Sequence, residues 1–278
     1  MGKSKSAILS RLLIRIFLVI CGVLVVFPMV WLVISSLKNN MEFFVNQWGL
    51  PEVYRFSNYL TAWVKSHVST YFINSLIVVI GTVLIFGIMA STNAYILAKF
   101  QFRGMKLFEI LFFMGIMIPG VLKLTPLYFQ LEKVGLTDNL IVLMFVHAIT
   151  GLPVNLFMIT SFMKNIDNAF IEAAVIDGAT EWQIFKNIAL PLVKPILFFA
   201  CIGSVMGTWN DYTIPLVFIS DPKKYTVAIG LHFLELSEGD RGILFAGLII
   251  AMIPVLILYG LFQKQIQEGV SASDGVKG

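Results

Sequence analysis

Apolar residues in this chain come in long unbroken runs, without the strict alternation of a half-buried strand or the three-to-four spacing of a surface helix. Residues 16–37 carry no charge between Arg15 and Lys38, and none of Asp, Glu, Lys or Arg occurs over 66–98, where 74–97 is the most apolar part. A helix needs about 20 mostly apolar residues to cross the hydrocarbon core of a bilayer, so each run predicts a transmembrane helix. A third run, 107–131, is interrupted by Pro119-Gly120, Lys123 and Pro126. Residues 139–163 are uncharged throughout, a fifth run over 195–220 continues past Asp211, and the last covers 242–263. The expectation is an all-α integral membrane protein, a single transmembrane domain over 1–278 with six transmembrane helices, the third and fifth irregular.

Composition narrows the class further. Of the 278 residues 58% are hydrophobic and 13% charged, against about 25% charged in a soluble globular protein, and the mean hydropathy is +0.87. Disorder and a disulfide scaffold are excluded: the apolar content is too high, and the two cysteines, Cys21 and Cys201, each lie inside an apolar run. The net charge of +4 forms no basic face, so no nucleic-acid partner is expected. Six spans put both termini on one side. The termini and the loops sharing that side hold Lys3, Lys5, Arg11, Arg15, Lys99, Arg103, Lys106, Lys164, Lys186, Lys194, Lys264 and Lys277, which are 12 of the 20 bases. The positive-inside rule makes that side cytoplasmic. The first apolar run is longer than a signal-peptide core and lacks a small-residue cleavage site, so it reads as an uncleaved span.

The inner loop 164–194 departs from the short, basic pattern of the others. Asp167 or Asn168 can cap a first short helix, and Gly178 is placed for a left-handed stop at its end. Thr180 with Gln183 three residues on is a capping-box pattern that starts a second helix, and Pro191 and Pro195 then lead into the fifth span. Phe170, Ala173, Ala174, Trp182 and Phe185 make the element too apolar for a solvated loop, while seven of the chain's 36 charged residues lie in it. A docking surface and an interfacial helix pair packed on its own bundle both fit this pattern.

Glu172-Ala-Ala, then Asp177-Gly-Ala, Phe185, Leu190-Pro-Leu and Pro195 form a 24-residue string that resembles the EAA loop of the membrane subunits of bacterial ABC importers. Thr125-Pro-Leu-Tyr128 with Val134-Gly-Leu-Thr-Asp138, and Trp209-Asn-Asp-Tyr212 with Pro215-Leu-Val-Phe218, resemble the carbohydrate (maltose-type) branch. The tail 269–278 is similar to that branch's ending but departs from it at Val270, Ser271, Ser273 and Asp274. The resemblance covers roughly residues 70–278. It implies a permease subunit of the bacterial plasma (inner) membrane whose loop is a cytoplasmic coupling helix between spans four and five. Glu172, Ala173, Ala174, Asp177, Gly178 and Ala179 would form the ATPase-coupling site, with Glu172 reaching the ATPase, the alanines allowing close packing and Gly178 making the turn. The implied partners are a second permease subunit, two ATPase subunits, an extracytoplasmic solute-binding protein and the lipid bilayer. The chain has no G-x-x-x-x-G-K-[ST] phosphate loop. It is therefore not expected to be an enzyme and needs no cofactor of its own, ATP and Mg being bound by the partner ATPase.

Trp209, Asn210, Asp211 and Tyr212, with Tyr128, are the candidate substrate-pathway residues: rings stack on sugar C–H faces while amide and carboxylate groups bind hydroxyls, and an ionisable group in a span is a functional candidate. Asp211 as a helix-fixing residue at the interface is the structural alternative. Lys123 reads as a side chain snorkelling to the outer face, and His147 as a hydrogen-bonded packing residue. The outer loop 221–241 reads equally as a contact for the binding protein and as solvated chain. A stand-alone secondary transporter or channel is the alternative function, but it predicts inverted repeats and mid-membrane carboxylates, and no motif occurs twice. A membrane-embedded enzyme lacks a catalytic constellation.

Overall fold

The computed structural model describes the backbone of residues 5–274 and the side chains of 9–236 and 239–265. The tail 269–278 that carries part of the family resemblance therefore lies outside the described side chains. The described chain is helical without a strand. In order it comprises α1 (Lys5–Ser36), α2 (Asn40–Val45), α3 (Ser57–Leu60) continuing into a π turn, α4 (Val68–Lys99), α5 (Met105–Met117), α6 (Gly120–Lys133), α7 (Leu140–Lys164), α8 (Asn168–Ile176), α9 (Glu181–Ile184), a π turn Phe185–Ala189, α10 (Leu190–Asn210), α11 (Thr213–Phe218), α12 (Val227–Glu238) and α13 (Arg241–Asp274). Among the described residues five helices are long and apolar enough to cross a membrane, or six when the bent pair α5 and α6 counts as one span.

Two compact units divide the chain, one of residues up to Ser69 with Leu231–Ile253, the other of Thr70–Gly230 with the chain from Pro254 onward. In the first unit the end of α1 is tied down by side chains. Asn58 Nδ2 donates to the carbonyls of Ser36 and Lys38, both at 2.8 Å, supplying partners that a helix C-terminus lacks. Lys38 is fully buried, and its Nζ donates at 2.6 Å to the carbonyl of Asn46, the residue that ends α2. A cation there complements the negative end of the helix. Gly242 lies so close to this corner that a Cβ would come within 2.2 Å of the Lys38 carbonyl oxygen. Trp31, Phe43 and Phe245 pack edge to face around it.

The second unit is built on α4, α7 and α10. Phe86, Ala90 and Ala94 of α4, Ala148, Leu152, Leu156 and Ile159 of α7, and Val193, Ile196 and Ala200 of α10 share one core with Ile184 and Phe185. A second cluster joins Val78, Leu124, Leu143, Val146, Phe218 and Ile229. The segment 221–241, expected as loop, instead contains α12, whose first turns are anchored by the buried Val227 and Ile229. Ahead of it, Asn74 Nδ2 donates to the carbonyls of Lys223 and Tyr225 at 2.9 and 3.0 Å. Asp138 Oδ1 accepts from the amides of Ser220 and Asp221, both at 3.0 Å, and its Oδ2 lies 3.1 Å from Lys224 Nζ.

The interrupted third run is two helices meeting at 108°. Its cause is local. Ile118, preceding Pro119, takes the extended backbone that a following proline imposes (φ −82°, ψ 119°). Pro119 has no N–H to give to the carbonyl four residues back, that of Gly115. Lys123 Nζ donates to that carbonyl instead. Lys123 thus serves the bend, a role beyond the snorkelling expected from the sequence.

Lys123→Met keeps the stem and removes the donor, and is expected to cost about 1–3 kcal/mol, read as a lowered unfolding midpoint in detergent micelles. Donation from the Asp221 amide, then from Lys224 and the Ser220 amide, holds the Asp138 carboxyl below its ordinary value of 3.8 despite an opposing contribution from burial. A depressed carboxylate stabilises the fold above its unfolded pKa and loses that contribution as pH falls through the folded one. Hydrogen exchange at the amides of Ser220, Asp221, Lys223, Lys224 and Tyr225 is therefore expected to accelerate below about pH 4 relative to other surface amides, and Asp138→Asn is expected to remove most of that acid dependence.

Candidate functional site

Two places in the second unit bear on the predicted residues: one holds the six of the coupling site and the other holds Asp211. The first is the element between α7 and α10. Asp167 Oδ1 accepts from the Ala169 amide at 3.0 Å and caps α8. At the other end Gly178 has φ +80°, and the Gly178 and Ala179 amides donate back to the carbonyls of Val175 and Ala174 at 3.0 and 2.9 Å. No atom would lie within 4 Å of a Cβ at Gly178, so the backbone angle, not space, calls for glycine there. Thr180 and Gln183 form a complete capping box: the Thr180 amide donates to Gln183 Oε1 at 2.7 Å, and the Gln183 amide to Thr180 Oγ1 at 3.4 Å.

Burial divides the element into two faces. Ile171, Ala174 and Ala179 pack against the core, and Ile184 and Phe185 are buried in it. Glu172, Ala173, Asp177 and Gly178 are exposed, together with Phe170 (59%), Val175 (55%), Ile176 (84%) and Trp182 (64%). Two contacts tie the element to the end of α4: Lys99 Nζ donates to the Ile166 carbonyl at 2.8 Å and to Asn168 Oδ1 at 3.0 Å, and Tyr95 OH donates to Glu181 Oε2 at 3.1 Å. The result is a capped, doubly anchored helix pair with an open apolar face edged by carboxylates. Of the two readings left open by the sequence, packing on its own bundle accounts for one face only.

The second place is a cavity of about 290 Å³ between α7 and α10. His147, Thr150, Gly151 and Asn155 line it from one side, and Gly203, Ser204, Gly207, Thr208, Asp211 and Ile214 from the other. The glycines keep both walls free of side chains while hydroxyl, amide, imidazole and carboxylate groups face the space. His147 Nδ1 lies 3.6 Å from Asp211 Oδ2, too far for a hydrogen bond, and its buried Nε2 has no partner among the described residues. His147 is thus buried as expected, without the hydrogen bonding that a packing histidine normally finds. Asp211 Oδ1 accepts from the Thr213 and Ile214 amides at 2.8 and 3.3 Å and starts α11. The helix-fixing role and the position on the cavity both belong to this one carboxylate.

The other predicted pathway residues lie elsewhere. Trp209 is buried, edge to face with Phe72 at 5.3 Å. Asn210 Nδ2 donates to the Met206 carbonyl at 2.8 Å, Tyr212 packs on the second core cluster, and Tyr128 lies 6.0 Å from Phe218, ring to ring. Thr150, Asn155, Ser204 and Thr208 were not singled out from the sequence, and His147 was read there as a packing residue, because they are scattered along two apolar runs. Their one signal is spacing: 147, 150, 151 and 155, like 203, 204, 207, 208 and 211, fall at three- and four-residue steps that share a helix face.

The pattern of the family described as "Binding-protein-dependent transport system inner membrane component" matches residues 84–272. The chain belongs to this family. It is a multi-pass inner-membrane permease subunit of the ABC-importer type, and such a subunit is a transport component, not an enzyme. Among its relatives the diacetylchitobiose uptake system permease protein of Streptomyces coelicolor is 33% identical over 257 residues, covering 91% of this chain and 85% of that one. The melibiose/raffinose/stachyose import permease protein of Bacillus subtilis is 30% identical, covering 90% and 91%. In fold, the chain is similar to one in the crystal structure of a bacterial ABC transporter that imports the acidic polysaccharide alginate, with a TM-score of 0.82, 21% identity and coverage of 95% and 99%.

In this permease the capping box is the joint that stiffens the loop. Thr180→Ala is expected to cost the second short helix about 1 kcal/mol, measured as roughly fivefold faster hydrogen exchange at the Gln183 amide.

Proposed function

We propose that this subunit forms half of the translocation pathway of an ATP-driven importer for a carbohydrate or related small solute. In this reading the 164–194 loop is the cytoplasmic coupling element and both termini are cytoplasmic. The observation that carries the proposal is the capped helix pair, anchored to α4 on one face and bearing Glu172, Ala173, Asp177, Phe170 and Ile176 on an open one. An ATPase cleft fits that face, because apolar side chains ringed by carboxylates favour a partner that offers both a greasy groove and cations. The second helix of the pair, α9, runs through the π turn Phe185–Ala189 into α10 without a break, and α8 joins it through the capped turn at Gly178, so displacement of the element by the ATPase is passed through α9 to α10.

The remaining partners are a second permease completing the pathway, two ATPase copies binding ATP and Mg, and a solute-binding protein delivering substrate from outside. A solved relative of the fold is described as bacterial alginate transporter in complex with a pentasaccharide-bound periplasmic protein, which supports that delivery route. The carbohydrate assignment draws support from the diacetylchitobiose and melibiose/raffinose/stachyose relatives. The α7–α10 cavity supports it too, since Ser204, Thr208, Asn155 and His147 are the donors and acceptors that a sugar's hydroxyls need. Asp211 is proposed as the one pathway residue shared with the sequence prediction; Trp209, Asn210, Tyr212 and Tyr128 are proposed to pack the surrounding helices and not to line the cavity.

Co-purification with the proteins encoded beside it and uptake in cells test the reading together. A stoichiometric ATPase and a second permease are expected with the unaltered chain, and ATP-independent uptake by this chain alone would overturn the proposal. Glu172→Lys and Gly178→Val, the latter placing a β-branched residue in a left-handed conformation at a cost of about 1–2 kcal/mol, should reach the membrane yet recover less than a tenth of the ATPase. Gly178→Asn, which tolerates that backbone, should recover most of it. Ser204→Phe, filling the cavity, should retain the ATPase and lose uptake at least tenfold.

A further inference from the structure

A groove separate from the α7–α10 cavity opens beside the loop end of the second unit. It is about 680 Å³ in volume and is walled by Leu97 of α4, Lys106, Glu109, Ile110 and Phe113 of α5, and Phe157, Thr160, Ser161 and Lys164 of α7. These residues come from the last turn of α4, the first turns of α5 and the last turns of α7. The groove therefore begins at the membrane face bearing α8 and runs inward from it.

Its chemistry is graded along that direction. Lys164 Nζ and Glu109 Oε1 are 3.8 Å apart at the mouth, both partly exposed. Lys106 is exposed and makes no ion pair among the described residues. Thr160 lies four residues before Lys164, about 6 Å deeper at a helical rise of 1.5 Å per residue. Its Oγ1 is buried without a hydrogen-bond partner among the described residues, in a residue only 6% exposed. On α7 the wall beyond it is Phe157, and from α5 Ile110 and Phe113 face the groove, all three open to the surroundings.

Cation, then unpaired hydroxyl, then apolar trough is the order in which a glycerophospholipid presents phosphate, ester and acyl chain. Two lysines against one glutamate leave a single positive charge at the mouth, which matches a headgroup carrying one net negative charge. A zwitterionic headgroup would bring its own cation against Lys106. We propose that this groove is a binding site for an anionic glycerophospholipid of the phosphatidylglycerol type, with the phosphate at Lys106 and Lys164, an ester oxygen accepting from Thr160, and an acyl chain along Ile110, Phe113 and Phe157. The membrane setting it needs follows from the family; it is independent of the sugar and coupling proposals.

The test uses the full chain co-purified with its partner subunits in nanodiscs. Photoactivatable phosphatidylglycerol or phosphatidylcholine, each with a diazirine in the acyl chain, is cross-linked and the adducts are mapped by mass spectrometry to peptides spanning 106–113 and 157–164. The phosphatidylglycerol yield there should exceed the phosphatidylcholine yield at least fivefold, and 10 mM inorganic phosphate should not reduce it. Lys106→Gln should bring the ratio below two. Thr160→Val should lower both yields about threefold while keeping their ratio. Equal yields for the two lipids, a ratio unmoved by Lys106→Gln, or labelling confined to the isolated chain would overturn the proposal, the last result assigning the groove to a protein partner. Because the Lys106 side chain is exposed, its variant tests charge without disturbing the core.

Discussion

Water is missing from the region where most of this chain lies, and a backbone group that leaves a helix there must find its partner within the protein. The Pro119 break shows the consequence directly, and the same device recurs at turns nearer the surface: at several breaks among the described residues a polar or charged side chain meets the stranded groups. Lys123 takes the Gly115 carbonyl that Pro119 leaves bare. Asn58 takes two carbonyls at the end of α1. Asn74 takes two between α11 and α12, and Asp138 receives two amides from the same stretch. Several polar residues inside apolar runs are thus repairs to the main chain, and treating each as a functional site would overcount.

Setting those repairs aside sharpens the residues that remain. Four buried side-chain atoms have no partner among the described residues, Ser35 Oγ, His147 Nε2, Thr160 Oγ1 and Thr226 Oγ1, and of these His147 and Thr160 line the two cavities described above. An orphaned buried polar atom costs roughly 1–3 kcal/mol, so a fold that keeps one has either bound something there or has a reason to keep the place open. Both atoms lie on α7, on cavities that face different neighbours, His147 towards α10 and Thr160 towards α5. The same helix thereby lines a polar cavity on one side and a partly apolar groove on another, while its end leads into α8.

The loop between α7 and α10 was the most legible part of the sequence, because its caps are short-range. Asp167 to Ala169, Thr180 to Gln183 and the turn at Gly178 each involve residues within a few positions, so residue type and spacing sufficed. The long apolar runs were legible for a similar reason, since hydropathy summed over 18 residues depends little on neighbours, and the predominantly helical character and the apolar helices both appear. The role of Lys123 at the bend was not legible, although its cause is local: a lysine after Pro-Gly reads as exposed until the carbonyl opposite Pro119 is identified as the group it serves. Likewise α12 begins inside a segment whose charges suggested solvent, because Val227 and Ile229 are held by the packing of α4 and α7.

By itself, then, the sequence determined the class of environment, the helical runs within it, and the capped element that family membership now places in a transport permease. Each follows from free energies that are nearly additive along the chain: transfer of apolar side chains, cap hydrogen bonds, and glycine's freedom at positive φ. Only the tertiary structure decided which polar residues share a space. His147 and Asp211 are 64 positions apart in sequence and 3.6 Å apart in the fold, and Lys164 joins Lys106 and Glu109 at one groove only because α5 and α7 pack together. Such meetings depend on helix rotation and pairing, which are set by the fit of whole faces such as the Ala90, Ala148 and Ala200 contact surface, and no local pattern encodes them.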